Sequence, residues 1–269
     1  MSVSEPLGGT LSLAGRHALV CGASAGIGRA SALALASLGA RITVLARRRD
    51  ALEALVPALR TAGAAKPAAL VADLDDPESF ESAVRALLAA GGPVHVLVNN
   101  SGGPAPGAIL ASAPEHFAAG FARVLYSAQS LVQMCLPGMR AAGFGRIVNV
   151  LSTSVREPIP NLGVGNTVRG AMASWAKTLS RELPAGVTVN SILPGYTDTE
   201  RLQELAELTA RNTGRTVADV HADWTREIPE GRLAAPHEIG NVIAFLCSPA
   251  AAYVRGQSIA VDGGRMRSI

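Results

Sequence analysis

The stretch RHALVCGASAGIGRASALALASL, residues 16–38, decides the fold of this chain. Residues 16–21 form an apolar run that predicts a buried strand, and residues 27–38 form an Ala- and Leu-rich pattern that predicts a helix. Residues 22–28, between them, carry three glycines spaced Gly-x-x-x-Gly-x-Gly. Glycine permits a tight turn and lets an anion approach backbone N–H groups at a positive helix N-terminus. The stretch therefore predicts a dinucleotide pyrophosphate site, and an ordinary glycine-rich turn is the alternative.

Short apolar runs and longer helical patterns alternate along the rest of the chain. Further strands are predicted at 41–46, 68–71, 94–98, 146–151, 187–193 and 258–261. Further helices are predicted at 50–61, 77–90, within 114–141, at 166–183 and at 236–246. Asp50 is the predicted N-cap of the first of these helices, and Asp76-Pro77 opens the second. Alternation without a break predicts an α/β fold, a Rossmann-type doubly wound parallel sheet in three α/β/α layers. One domain is expected over 14–269, after an N-terminal extension of residues 1–13.

The composition excludes several classes of protein. The 269 residues include 24 Lys and Arg against 21 Asp and Glu, a net charge of +3, with 48% hydrophobic and 17% charged residues. Ample apolar content excludes intrinsic disorder, and so small a charge excludes a nucleic-acid binder that depends on bulk charge. No apolar run approaches the ~20 residues that span a bilayer, and residues 1–14 lack the basic start of a signal peptide. We expect a cytoplasmic protein with a small-molecule partner and no membrane or nucleic acid.

The cysteines suggest neither a disulfide framework nor a zinc site. Cys21, Cys135 and Cys247 are far apart, odd in number and outside any CxxC or His/Cys cluster. Three buried thiols in a reducing compartment are the expected arrangement, with no metal.

Short polar and glycine-containing motifs follow the predicted strands in a fixed order. They are the glycine turn, Asp73 after the third strand, Asn99-Asn100-Ser101-Gly102 after the fourth, Ser152 after the fifth, Pro194-Gly195-Tyr196-Thr197-Asp198-Thr199 after the sixth, and Val261-Asp262-Gly263-Gly264 at the end. In this order the motifs resemble the short-chain dehydrogenase/reductase family, of the type that includes 3-oxoacyl-[acyl-carrier-protein] reductases, over residues 13–264. The resemblance implies an oxidoreductase that acts on a carbonyl or similar small molecule, and a homotetramer or homodimer.

The resemblance also implies a cofactor site at the carboxyl ends of the strands. Its expected residues are Gly22, Ser24, Ala25, Gly26, Ile27, Gly28, Arg47, Arg48, Asp73, Leu74, Asn99, Ser101, Gly102, Arg169, Pro194, Gly195, Thr197 and Thr199. Asp73 would accept a hydrogen bond from the adenine amino group, and a role as N-cap or turn residue is its alternative. Ser101 stands where the family usually has Ala.

The end of the second strand favours NADP(H) over NAD(H). NAD enzymes place a carboxylate there for the ribose 2′-OH, whereas this chain has Ala46 followed by Arg47 and Arg48. Guanidinium groups pair bidentately with phosphate. A merely solvated basic helix start is the alternative, but a positive helix N-terminus prefers acidic side chains.

The family's catalytic pattern is incomplete in this sequence. The family uses Ser to polarise the carbonyl and Tyr-x-x-x-Lys to supply the proton. Ser152 is in place, but the Tyr position thirteen residues later is Gly165 and the Lys position is Arg169. No Tyr-x-x-x-Lys occurs anywhere in the chain, and the expected helical Asn corresponds to Val124. Loss of a positioned general acid typically costs ~10²–10⁴ in rate, not all activity.

Three interpretations follow from the missing tyrosine. The first is an oxidoreductase with a rebuilt site, in which Ser152 and Arg169 orient the reacting group. Water or another side chain would supply the proton, the candidates being Ser154, Asn166, Tyr196, His221, Asp223 and Glu227. The second is non-redox chemistry such as isomerisation, dehydration or cyclisation. The third is a pseudoenzyme that binds the cofactor; the intact cofactor motifs favour the first.

Three further segments carry predictions. Residues 197–231 are polar, helix-prone and too long for an ordinary connection, which predicts a lid over a site. The turn-rich loop 102–107 either borders the substrate pocket or is a passive surface turn. The helices within 114–141 and at 166–183 are expected at one interface of the oligomer.

Overall fold

A computed structural model describes residues 10–268 and contains one seven-stranded sheet in which every strand pair is parallel. The strands are β1 (His17–Cys21), β2 (Arg41–Ala46), β3 (Ala65–Val71), β4 (Val96–Asn99), β5 (Gly145–Val150), β6 (Val187–Pro194) and β7 (Ser258–Val261). They lie in the order β3-β2-β1-β4-β5-β6-β7, so the chain reverses its direction of winding between β1 and β4. Such a switch point opens a crevice at the carboxyl ends of the strands.

Helices cover both faces of the sheet. They are α1 (Gly26–Ser37), α2 (Arg49–Thr61), α3 (Pro77–Gly91), α4 (Pro114–Phe121), α5 (Ser127–Ala141), α6 (Gly163–Glu182), α7 (Glu200–Thr213), α8 (Val217–Arg226) and α9 (Pro236–Cys247). One buried cluster joins α1, α2 and α9 to the sheet, and a second joins α3, α5 and α6 to its other face. The predicted α/β, doubly wound, Rossmann-type fold is confirmed.

Several predicted boundaries need correction. The N-cap of α2 is Arg48, so Asp50 lies in the first helical turn, where its carboxylate still complements the positive helix end. Helix α6 begins at Gly163, three residues before the predicted start. The segment 114–141 is interrupted by a π-helical turn, Ala122–Tyr126. By contrast, Asp76 caps α3 as predicted, since its carboxylate accepts the Ser79 N–H at 3.2 Å.

The other predictions at this level have mixed outcomes. Residues 1–9 of the predicted N-terminal extension lie outside the described residues, while Leu13 is fully buried and its N–H donates to the Leu38 carbonyl. Segment 197–231 contains α7 and α8; its role as a lid stays a prediction. All three cysteines are buried, and burial raises the pKa of each thiol to about 12. No helix between residues 10 and 268 has the length and apolar character to cross a membrane.

Candidate cofactor and active site

A cavity of about 580 Å³ opens at the carboxyl ends of the strands, at the switch point between β1 and β4. It extends from the end of β2, past the glycine turn, to the N-terminal half of α6. The side chains and backbone that line it are Gly22, Ser24, Ala25, Gly26, Ile27, Leu45, Ala46, Arg47, Arg48, Ala72, Asp73, Leu74, Asp75, Asn100, Ser101, Gly102, Gly103, Arg123, Val150, Leu151, Arg169, Thr199, Glu200, Arg201 and Glu204. A volume of this size is typical of small-molecule and cofactor sites.

The glycine turn is shaped by close backbone contacts. Gly22 and Gly26 have positive φ values of 59° and 52°. A Cβ on Gly22 would collide with the Asn100 carbonyl, and a Cβ on Gly28 would collide with the Gly22 carbonyl. Within the described chain, no side chain caps the N-terminus of α1, so its first N–H groups remain available to an anion. The turn therefore fits a pyrophosphate.

Two exposed arginines directly follow β2, which ends at Ala46. The side chains of Arg47 and Arg48 are 69% and 53% exposed. Arg48 Nε donates to Ser24 Oγ at 3.3 Å, and its Nη2 lies 3.2 Å from Glu200 Oε2 on α7. Arg47 lies 3.8 Å from Asp73. Arg48 is therefore held beside the glycine turn, and Arg47 lies near Asp73 on the same part of the cavity lining.

Residues that follow β3 and β4 build a further part of the cavity lining. Asp73 Oδ1 accepts the Asp75 N–H at 3.0 Å, so Asp73 lines the cavity and also makes a turn. Arg123, from the π-helical turn, donates to both oxygens of Asp75 at 2.6 Å. This hydrogen bonding raises the pKa of Arg123. Asn100 Nδ2 lies within hydrogen-bond distance of the Cys21 and Gly22 carbonyls and fixes the switch point.

Arg169 is the only charged side chain that α6 sends into the cavity within the described residues. Its Nη1 lies over Gly165, only 2.8 Å from where a Cβ would stand, and its Nη2 lies against Gly103. The described residues offer this guanidinium no hydrogen bond or ion pair. Burial, reinforced by the charge of Arg201, lowers the pKa of Arg169 to about 10. Arg169 is therefore a cation at neutral pH.

Ser152 caps a short 3-10 turn, Thr153–Val155, rather than facing the cavity directly. Its Oγ accepts the Ser154 N–H at 3.0 Å. The preceding residue, Leu151, lines the cavity. The Ser154 hydroxyl is buried without a hydrogen-bond partner among the described residues.

The π-helical turn places Val124 beside this half of the cavity. Val124 and Met172 line a separate space of about 10 Å³, which also borders Asn99, Ser101 and Leu151. Such an interruption of a helix is frequent at functional sites. The apolar Val124 side chain can hold neither a water molecule nor a proton there.

Five of the candidate proton donors, namely Asn166, Tyr196, His221, Asp223 and Glu227, are engaged outside the cavity. Tyr196 stacks on Trp224 with ring centroids 4.9 Å apart, and Arg265 lies over its ring and within 3.3 Å of its hydroxyl. His221 also stacks on Trp224. Asp223 pairs with Arg215 and Arg226, and Glu227 pairs with Arg265. Asn166 bonds the backbone of Ile159. In the described structure, the lining of the cavity includes none of these candidates.

The cavity brings together most of the residues that the sequence predicts for the site. Those that line it are Gly22, Ser24, Ala25, Gly26, Ile27, Arg47, Arg48, Asp73, Leu74, Ser101, Gly102, Arg169 and Thr199. Those outside the lining are Gly28, Asn99, Ser152, Pro194, Gly195 and Thr197. Asn99 bonds Asn149 inside the sheet, and Thr197 bonds the Gly195 carbonyl, so these two residues shape the frame.

Sequence reasoning missed several charged residues of the lining, namely Asp75, Arg123, Glu200, Arg201 and Glu204. Asp75 and Arg123 are distant in sequence and meet only in the fold. Glu200, Arg201 and Glu204 belong to the first turns of α7. Their spacing on one helix, just after the motif 194–199, is the signal that could have indicated them.

The fold is that of a Rossmann-type α/β protein with a cavity at the carboxyl ends of its strands. A family model described as Enoyl-(Acyl carrier protein) reductase matches residues 22–265. The chain belongs to the short-chain dehydrogenase/reductase family and is of its 3-oxoacyl-[acyl-carrier-protein] reductase-like type. The predicted family is confirmed.

Several relatives cover nearly the whole chain. The 2,3-dihydroxy-2,3-dihydro-p-cumate dehydrogenase of Pseudomonas putida is 33% identical over 255 residues, which are 94% of this chain and 95% of that protein. The 3-oxoacyl-[acyl-carrier-protein] reductase of Vibrio cholerae is 33% identical over 257 residues, covering 94% and 98%.

Solved structures show the same architecture. L-sorbose reductase from Gluconobacter frateurii, in complex with NADPH and L-sorbose, has a TM-score of 0.90 at 29% identity, with 97% and 100% of the two chains covered. YwfH, an NADPH dependent reductase involved in bacilysin biosynthesis, has a TM-score of 0.89 at 29% identity, covering 94% and 99%.

Proposed function

We propose that the protein is an NADP(H)-dependent oxidoreductase that acts on a carbonyl or a similar electrophilic double bond in a non-standard active site. In this site Gly165 takes the place of the family's Tyr and Arg169 the place of its Lys. The observation that carries the proposal is the unpaired Arg169 guanidinium, which lies over Gly165 in the same cavity as a phosphate-binding turn.

The part of the cavity lined by the glycine turn, Arg47, Arg48 and Asp73 is called the cofactor half, and the part around Arg169 is called the substrate half. The residues of the cofactor half support binding of NADP(H). The N–H groups at the start of α1 would bind the pyrophosphate, and Arg47 and Arg48 would bind the 2′-phosphate. Asp73 would accept a hydrogen bond from the adenine. Structures with bound NADPH or NADP occur among the similar proteins. When bound, the cofactor supplies or accepts a hydride.

Arg169 would hold the oxygen on which negative charge develops. A cation that is fixed in a cavity stabilises an oxyanion more strongly than water does. The fixed charge needs no reorganisation, whereas water molecules must reorient around the new charge. Arg169 keeps its proton at neutral pH, so water would complete the protonation of the product. Ser152, next to the cavity, would polarise the same oxygen with its hydroxyl.

The experiment combines binding with turnover. Tryptophan-to-NADPH energy transfer measures binding, and NADPH oxidation is followed with a ketone, an imine and an enone. We expect binding and oxidation with at least one substrate class. No binding of either nicotinamide cofactor would contradict the proposal.

Binding without consumption of any substrate would favour the second candidate, a non-redox enzyme or a cofactor-binding pseudoenzyme. The observations behind this candidate are Gly165 and Val124, which remove hydroxyl and amide groups from the site. The double variant Gly165→Tyr with Arg169→Lys tests it, because it restores Tyr-x-x-x-Lys while the shorter amine vacates the space over residue 165. New ketone reduction by this variant alone would show that the native protein is not a conventional ketone reductase.

A further inference from the structure

The charged side chains that line the cavity form ion pairs, with the exception of one arginine. Each of the four lining carboxylates forms an ion pair with a different lining arginine: Asp73 with Arg47 at 3.8 Å, Asp75 with Arg123 at 2.6 Å, Glu200 with Arg48 at 3.2 Å, and Glu204 with Arg201 at 3.2 Å. The fifth lining arginine, Arg169, has no carboxylate partner among residues 10–268. The cavity therefore holds one uncompensated positive charge, on its most enclosed arginine.

A second guanidinium lies close to this charge. Arg201, in the first turn of α7, donates from Nη2 to the Pro104 carbonyl at 3.4 Å. Arg169 Nη2 lies against the neighbouring residue, Gly103. The two guanidinium groups thus approach neighbouring residues of one loop, Gly103 and Pro104, from different elements. Glu204 contacts only Nη1 of Arg201, and the Glu204 side chain is 64% exposed. Its carboxylate therefore offsets the positive charge of Arg169 and Arg201 only weakly.

The cofactor does not supply the missing negative charge. Its phosphates would lie at the glycine turn and at Arg47 and Arg48, in the other half of the cavity. A cation removed from water without a partner is costly, so the ligand in this half is expected to bring an anion. One uncompensated charge matches a monoanion better than a dianion.

We infer that the substrate of this site carries a carboxylate next to its reacting carbonyl or conjugated double bond, as a 2-oxo acid does, and that Arg169 and Arg201 bind it. The planar fork of Arg169 presents two N–H groups, which fit one carboxylate oxygen and the adjacent carbonyl oxygen. Arg201 would then donate to the second carboxylate oxygen. The inference rests on the proposed function, because it names the substrate class of the same site.

The test compares pyruvate with methyl pyruvate, which has nearly the same shape but no charge. Binding of each to the full-length protein loaded with NADP⁺ is measured by ligand-observed NMR titration. We expect pyruvate to bind about tenfold more tightly than its ester in the wild-type protein. Arg201→Gln is expected to remove most of this preference, because the affinity for pyruvate should fall much more than the affinity for methyl pyruvate.

Arg211→Gln is the matched control, because Arg211 lies in the last turn of α7 and outside the cavity lining. It should keep the wild-type preference, and NADPH energy transfer should be the same for both variants. Inorganic phosphate is the competing anion. Equal affinity for acid and ester, no affinity for pyruvate, or tighter binding of phosphate than of pyruvate would overturn the inference.

The outcomes separate this inference from the proposed function. Selective binding of pyruvate without NADPH oxidation by any substrate supports the ligand class and contradicts the proposed oxidoreductase. Oxidation of NADPH with acid and ester at equal kcat/KM supports the oxidoreductase and overturns the carboxylate inference.

Discussion

The proposed cofactor half and the proposed substrate half of the cavity differ in whether backbone or side chains determine their shape. The cofactor half is set by backbone: Gly22 and Gly28 lie so close to neighbouring carbonyls that a single added carbon would collide. The substrate half is set by side chains: Arg169 extends over Gly165 and against Gly103, and any of these could change without moving a strand. A half that depends on backbone contact keeps its function with the fold, whereas a half that depends on side chains can acquire a new reaction on the same fold.

The largest effect is expected from Gly28→Ala. The new Cβ would collide with the Gly22 carbonyl, so the turn must open, and NADPH affinity should fall at least about a hundredfold. The control is Gly170→Ala in α6, where a Cβ meets nothing within 4 Å. It should keep NADPH binding and raise the stability by roughly 0.5–1 kcal/mol, since Ala restricts the unfolded chain. Energy transfer and thermal unfolding measure both; unchanged affinity in Gly28→Ala would contradict the comparison.

Arg169→Gln should strongly lower the turnover rate while the affinity for the cofactor is largely preserved. The neutral amide cannot stabilise an oxyanion as a cation does, so kcat is expected to fall on the order of 10²-fold, with a change in NADPH affinity below about tenfold. Steady-state kinetics and energy transfer separate the two. Arg181→Gln, in the exposed last turn of the same helix, should match the wild-type protein. A parallel loss of cofactor affinity would place Arg169 in the cofactor half instead.

Arg47→Ala combined with Arg48→Ala should change the choice of cofactor. Because both guanidinium groups lie where the 2′-phosphate would fit, NADPH affinity should fall about ten- to a hundredfold, while NADH affinity changes little. Arg49→Ala is the control, since Arg49 pairs with Glu53 and lies outside the cavity lining. Equal losses for the two cofactors, measured by calorimetry, would refute the assignment.

Raising the pH into the alkaline range should lower turnover before it weakens NADPH binding. The lowered pKa of Arg169, about 10, means that its guanidinium loses the proton as pH rises through that value, whereas an unperturbed arginine stays charged. Turnover should therefore decline several-fold between pH 9 and about 10.5 while NADPH energy transfer persists. A kcat profile that stays flat over this range, with the protein still folded by circular dichroism, would exclude Arg169 as the charge that matters.

Prediction from the sequence succeeded where local pattern and chain order carry the information. The fold, the glycine turn and the arginines at the end of β2 could all be located, because strand–helix alternation fixes which residues lie at the carboxyl ends of parallel strands. The prediction for Asp50 failed because the helix begins at Arg49, before the predicted cap, so that Asp50 already lies in its first turn. The Arg123–Asp75 pair could not be predicted, since 48 residues separate its members.

The sequence by itself determined that this chain forms a doubly wound sheet with a glycine-rich turn after its first strand, and it predicted that Gly165 and Arg169 replace the family's Tyr and Lys. Only the tertiary structure decided which charges meet. It brings α7 beside the loop after β4, pairs every lining carboxylate with an arginine other than Arg169, and leaves Arg169 over a glycine with no ion pair to any residue from 10 to 268. The physical reason is that periodicity and spacing act along the chain, whereas the balance of charge in a cavity depends on distances between elements that only packing brings together.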